Sequence, residues 1–140
     1  MKKNTMDQKI IVASGPVIIE NNKVLLNKHG DDNLWKFPGG RVENFDFKNP
    51  LNSLEEACQR EVLEEAGFEV KIIRPLKPMF VPKSDDPNIW IVLIHYLAER
   101  LGELKLGADI KEADWFDIND LPPDCAPNIK PVIEEYKKSI

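Results

Sequence analysis

Arg60-Glu61-Val62-Leu63-Glu64-Glu65-Ala66-Gly67 decides how this 140-residue chain is read. At roughly 100° per residue the octet forms the last turns of an amphipathic helix, with Glu61, Glu64 and Glu65 within about 100° of one another. Val62, Leu63 and Ala66 point away from them, toward a core. Gly67 suits the C′ position that ends a helix. Like charges at these spacings cost about 0.2–0.5 kcal/mol each, and Arg60 offsets only part of that. A helix that concentrates acid in this way either faces water or holds a divalent cation.

Upstream, the β-branched residues within 9–19 predict a strand, interrupted near Gly15-Pro16. Asn21-Asn22 is a turn signal, and residues 23–28 form the returning strand of a hairpin. Residues 29–33 read as loop and 34–37 as a short strand that ends at Pro38-Gly39-Gly40; residues 41–43 stay extended. Residues 44–52 read as a loop with Phe45 and Phe47 tucked back. Asn52 or Ser53 caps the acidic helix, and Glu55-Glu56 suit its positive end.

Downstream, residues 68–76 predict a strand, and Pro75, Pro78, Pro82 and Pro87 punctuate the loops after it. Residues 90–98, the most strongly β stretch, predict a central strand. A short strand around Trp115-Phe116 and a C-terminal helix over 131–138 complete the chain. Strands on either side of one helix, plus a terminal helix, predict an α/β fold: a mixed central sheet with helices on both faces. No linker divides the chain, so residues 1–140 are expected to form a single domain.

A net charge of −5 argues against a dedicated nucleic-acid binder, which needs a basic face. Small phosphorylated ligands stay open, because a metal can bridge them to acid. Cys58 and Cys125 sit in no CxxC or Cys/His cluster, which argues against zinc and suits a reducing, cytoplasmic setting. No run of eighteen apolar residues exists to span a membrane.

The chemistry lies in two features that bracket the 44–52 loop. Glycines at 39 and 40 let backbone approach a ligand or ion closely. Three carboxylates plus a carbonyl make the oxygen donor set that Mg²⁺ prefers. With Phe37-Pro38-Gly39-Gly40-Arg41-Val42-Glu43 ahead, Arg60 through Phe68 behind, and Trp115-Phe116 followed by Asp120-Leu121-Pro122, the chain resembles the Nudix hydrolases over nearly its whole length. It departs from their pattern twice. Position 52 is Asn where Glu is expected, and eleven residues rather than five separate it from Gly40, a six-residue insertion. That insertion either reaches over the substrate or is a neutral surface elaboration.

The resemblance implies a Nudix α/β/α sandwich that hydrolyses a nucleoside diphosphate derivative, either a nucleoside triphosphate or a nucleotide sugar such as ADP-ribose. It implies that Glu61, Glu64 and Glu65, with the Gly40 carbonyl, hold Mg²⁺ or Mn²⁺. Arg60 would brace the glutamates, Glu61 is the first candidate for the base, and Asp109 is an additional ligand with Glu112 close by. Lys28 and Arg41 are candidates for phosphate oxygens, Phe37 for the pocket wall or base stacking, and Asn128 for reading a purine. Each also has a plainer reading, as surface charge or core. His29 and His95 read as structural. Many relatives pair, so a homodimer is an expectation too. The rival is a Nudix-like module that binds a nucleotide without cleaving it.

Overall fold

The computed structural model describes residues 9–46, 49–83 and 85–140. Seven strands form one sheet: β1 (Lys9–Glu20), β2 (Lys23–His29), β3 (Gly40–Arg41), β4 (Glu69–Pro75), β5 (Met79–Lys83), β6 (Asp86–Leu101) and β7 (Ile110–Asp117). The helices are α1 (Ser53–Ala66) and α2 (Ile129–Lys138), with a 3-10 turn at Asn44–Asp46. The strand order is β4-β6-β1-β2-β7, with β3 paired to β1 and β5 to β6. β1 and β6 run parallel and the other pairs antiparallel, so the sheet is mixed.

Period-2 alternation sorts the core onto two faces. Val17, Val24 and Leu26 pack with Ile129, Val132 and Ile133 of α2. Their sequence neighbours Ile18 and Leu25 pack with Val62 and Ala66 of α1. Helices therefore cover both faces, as the element pattern predicts. Ile18 is fully buried at the centre of the α1 face. Ile18→Val should cost about 0.5–1.5 kcal/mol, read as a shift in the urea midpoint at unchanged slope.

Several elements differ from the sequence reading. β1 runs unbroken through Gly15-Pro16. On the side away from β6 its partner changes from β3, at Ala13 and Ser14, to β2, at Ile19 and Glu20, and Pro16 falls in that interval. The 34–37 segment makes only isolated bridges, Lys36 to Asn27 and Trp35 to Cys125. β5 is a strand the prolines concealed; it pairs with β6 alone, and an edge position tolerates Pro82. α2 begins at Ile129 rather than 131, because Pro131 lies in the first turn, where a missing N–H breaks no helix bond. The Asn21-Asn22 turn is as expected: both residues have positive φ, the geometry of a two-residue hairpin.

At the start of α1, Asn52 occupies the N-cap position but its side chain makes no capping bond. The carbonyl of Asn49 instead accepts from the N–H groups of Asn52 and Ser53 and from the Ser53 hydroxyl. Phe45 is not tucked into a core: it is 60% exposed, with its ring 4.7 Å from the Arg60 guanidinium. Phe47 lies outside the described residues. Leu63, expected on the packed face of α1, is 50% exposed; Ala57, Cys58, Val62 and Ala66 make up the buried face.

Candidate active site

The last turn of α1 is held from three directions. Gly67 adopts φ 75° and donates its N–H to Leu63 O at 3.0 Å. From the loop between β6 and β7, Lys105 N–H donates to Ala66 O at 2.6 Å and Gly107 N–H to Glu65 O at 2.8 Å. These bonds occupy carbonyls that a helix end leaves without partners, so the glutamates are presented from a fixed backbone.

The Pro38-Gly39-Gly40 turn lies directly on β1 and α1. A Cβ on Gly15 would come within 2.2 Å of Pro38 O. One on Gly39 (φ 142°) would lie 2.7 Å from the Gly15 Cα, and one on Gly40 would lie 2.6 Å from Glu61 Oε2. Only a chain without side chains at these points allows so close an approach. Asn27 of β2 aligns the segment by exchanging backbone bonds with Lys36, at 2.8 and 2.9 Å.

Glu65 is the most deeply held of the three acids, at 8% exposed. Its Oε1 accepts from Gly39 N–H at 3.0 Å and from Asn27 Nδ2 at 3.2 Å, and its Oε2 lies 3.4 Å from His29 Nε2. Burial pushes its acid strength down, to a pKa of about 7; the two hydrogen bonds oppose this, while the charges of Glu64 and Asp109 add to it. Glu61 is also shifted upward, first by burial; Arg60 opposes the shift, and Glu65 and Glu64 reinforce it. Glu64 is exposed.

Arg60 ties this cluster together. Its Nη1 reaches both oxygens of Glu64 at 3.2 Å, and its Nη2 lies 3.0 Å from Glu61 Oε1 and 3.3 Å from Arg41 O. Its Nε and Nη2 grip Asp46 at 2.9 Å each. Asp46, Asn27 and His29 belong to this cluster, and the sequence reading assigned none of them there. Five residues separate Asp46 from Gly40, the spacing at which the Nudix pattern expects an acid, and that spacing was the available signal for Asp46.

The remaining expected site residues scatter more widely. Asp109 is exposed just before β7, near enough for its charge to act on Glu65. Arg41 stands exposed next to Gly40. Lys28 is committed elsewhere: its Nζ lies 3.2 Å from Asp124, 4.0 Å from Glu112 and 4.6 Å above the Trp35 ring. Phe37 is buried, with its ring edge-on to His95 at 5.4 Å, so it is a wall and not an open stacking face. Asn128 Nδ2 is 3.1 Å from His95 Nε2. Phe37, His95 and Asn128 thus form one group, which continues from the Pro38-Gly39-Gly40 turn.

The donor set suits a hard divalent cation in kind. It offers carboxylate oxygens, a backbone turn pressed against Glu61, and a buried acceptor, Asn27 Oδ1, that has no partner beside Glu65. As the side chains lie, however, Arg60 engages two of the acids, and no group of three His, Cys, Asp or Glu side chains converges among the described residues. Cys58 is no rival nucleophile, since burial pushes its thiol up to about 12.

The fold has many counterparts among solved structures. The model of the NUDIX domain matches residues 10–136, and the chain belongs to that family. It is 32% identical to an ADP-ribose pyrophosphatase of Methanocaldococcus jannaschii over 142 aligned residues, covering 99% of this chain and 79% of the relative. It is 30% identical to a Bacillus subtilis protein named provisionally as an 8-oxo-dGTP diphosphatase, covering 86% of this chain and 75% of that one. The crystal structure of a MutT Nudix hydrolase from Burkholderia pseudomallei superposes with a TM-score of 0.77 at 24% identity, covering 91% of this chain and 98% of that one. The fold is the Nudix α/β/α sandwich.

Proposed function

We propose that this Nudix hydrolase cleaves the diphosphate bond of a small nucleoside diphosphate derivative, with Glu61, Glu64, Glu65 and the Gly40 carbonyl holding Mg²⁺ or Mn²⁺. One observation carries the reading: two of the three acids on one helix face are at least partly buried and shifted upward, and they are pressed against a glycine turn that only a close approach explains. A divalent cation bound there would stabilise negative charge on the phosphate oxygens. The chain's own groups supply the rest. Glu61 is the candidate to take the proton from water, and Arg60 holds Glu61 and Glu64 in place by charge-assisted bonds. Arg41, exposed beside Gly40, is the candidate to meet a phosphate oxygen; Lys28, already paired with Asp124 and Glu112, is the weaker one. Asp109 contributes charge at the rim.

Phe37, His95 and Asn128 form the candidate wall for the base, with Asn128 the group to read a purine edge. ADP-ribose leads the substrate candidates, because the archaeal pyrophosphatase is similar over 99% of this chain; an oxidised nucleoside triphosphate follows. The net charge of −5 favours a small nucleotide over nucleic acid. A single 1–140 domain, a cytoplasmic setting and pairing of two copies complete the reading; light scattering tests the last.

The rival, a nucleotide-binding module without turnover, draws on the engagement of Glu61 and Glu64 by Arg60. A panel of ADP-ribose, nucleoside triphosphates and 8-oxo-dGTP, with Mg²⁺ and product identification, separates the two. Release of a nucleoside monophosphate supports hydrolysis. Tight binding without release on every substrate supports the module.

A further inference from the structure

Leu25, Asn27 and His29 share one face of β2, the face that meets α1. Leu25 is fully buried and packs with Val62 and Ala66. Two residues on, where the same packing would suit another apolar side chain, stands Asn27 at 1% exposed. Its Nδ2 donates to Glu65 Oε1 at 3.2 Å, the oxygen that also accepts from Gly39 N–H at 3.0 Å. Two donors thus occupy Oε1 and leave Oε2 for other partners; it lies 3.4 Å from Nε2 of the partly exposed His29. The backbone of Asn27 meanwhile exchanges bonds with Lys36, in the segment that leads into the glycine turn. One residue therefore holds the glycine segment and the carboxylate in a common register.

This arrangement costs stability. Asn27 Oδ1 is buried and has no hydrogen-bond partner among the described residues. A buried acceptor without a partner has given up water for nothing, a penalty that an apolar side chain of the same shape avoids. Leucine has nearly the shape of asparagine, so folding alone would favour it here. What leucine cannot supply is the donor to Glu65.

We propose that Asn27 is a positioning residue for the hydrolysis: its amide, with the Gly39 N–H, occupies one oxygen of Glu65 and so fixes how the other is presented to a divalent cation. The inference rests on the reading that Glu65 serves the reaction.

The test compares the wild-type chain with Asn27→Leu, Asn27→Ala, Asn27→Gln, Glu65→Gln and the Asn27→Leu/Glu65→Gln pair, using the panel nucleotide that turns over fastest, at saturating Mg²⁺. In metal-free buffer Asn27→Leu should melt within about 4 °C of wild type, and Asn27→Ala should melt lower because it leaves a cavity. Both should nonetheless lose kcat alike, about 10–100-fold, with KM changed less than roughly threefold. The Mn²⁺ dissociation constant, read from the electron paramagnetic resonance of the free ion and so needing no substrate, should rise about 10–100-fold in both. Asn27→Gln, which keeps an amide donor, should recover part of both losses. Because Asn27 acts through Glu65, adding Asn27→Leu to Glu65→Gln should cost less than roughly twofold more. Wild-type kcat and Mn²⁺ affinity in Asn27→Leu, losses that follow the melting temperature rather than the amide, or losses that multiply in the double variant would overturn the inference. Glu65→Gln alone tests the underlying reading separately: full activity there removes Glu65 from the reaction, whatever Asn27 does.

Discussion

Glu65→Gln is expected to lower kcat by about 10²–10³-fold while KM changes little, the scale seen when one preorganised electrostatic group is removed from a reaction centre. The substitution is close to isosteric. The Gln amide oxygen can still accept from Gly39 N–H and Asn27 Nδ2, so the turn and β2 keep their anchor. The charge is lost, and with it the oxygen that faces His29 Nε2 at 3.4 Å. Thermal stability without divalent cations should not fall, because Glu65 is held at a pKa of about 7 and its ionisation above that pH opposes folding. An activity loss in a chain that is no less stable separates a working carboxylate from a structural one. Steady-state kinetics beside a melting curve reads both, and unchanged kcat would remove Glu65 from the site.

The pH dependence of stability should be nearly flat in the wild-type chain and should tilt in opposite directions in two variants. Two buried groups cause this. His95, 3% exposed, is pushed down by burial from 6.5 to about 4. Between those values the unfolded chain binds the proton and the folded one does not, so its effect is to lose stability as pH falls through that window. Glu65 is pushed up by burial from 4.5 to about 7. Over its window the folded chain binds the proton and the unfolded one does not, so stability is gained as pH falls. Each shift is worth about 3 kcal/mol when fully expressed. Between pH 7.5 and 4.5, in metal-free buffer, the two nearly cancel.

His95→Gln leaves the Glu65 effect unopposed, and that variant should become about 2–3 kcal/mol more stable on acidification. Glu65→Gln leaves the His95 effect, and that variant should lose a similar amount. Urea midpoints at the two pH values measure both. The same slope in both variants would contradict the assignment. Both variants share two further contributions: Glu20, held down by Arg100, and Asp32, held down against burial by Lys36 and the Leu34 N–H, add a loss at the acid end, while Glu61, pushed up by burial, adds a gain.

How far the site could be read in advance depends on the range of the interaction involved. Glu61, Glu64 and Glu65 share a face because helical geometry alone puts them there, and Gly67 stops the helix where its positive φ is needed. The β-branched run from Trp90 to Ala98 reads as an interior strand from its composition alone, and it pairs with β1 on one side and with β4 and β5 on the other. The Asn21-Asn22 hairpin is equally local. Leu63 was misread by the same geometry: it stands at the border of the helix face, and the packing of Val62 and Ala66 against Ile18 and Leu25 set the helix rotation that left it half exposed. β5 was hidden because its pairing with β6 outweighs a proline at an edge.

By itself the sequence determined the acidic face of α1, the glycine turn ahead of it and the alternation that places helices on both faces of the sheet. Each follows from 3.6- or 2-residue periodicity or from the backbone freedom of glycine. Tertiary structure alone decided which acid is buried and what answers it. Asn27 lies 38 residues before Glu65, Asp46 lies 14 before Arg60, and Gly15 meets Gly39 across the sheet. No local period links such pairs; they meet only once β1, β2 and α1 have packed. The three glutamates were therefore legible from their spacing, while the inequality among them came from the fold: Glu65 buried at a pKa of about 7, Glu61 half-shielded by Arg60, and Glu64 exposed.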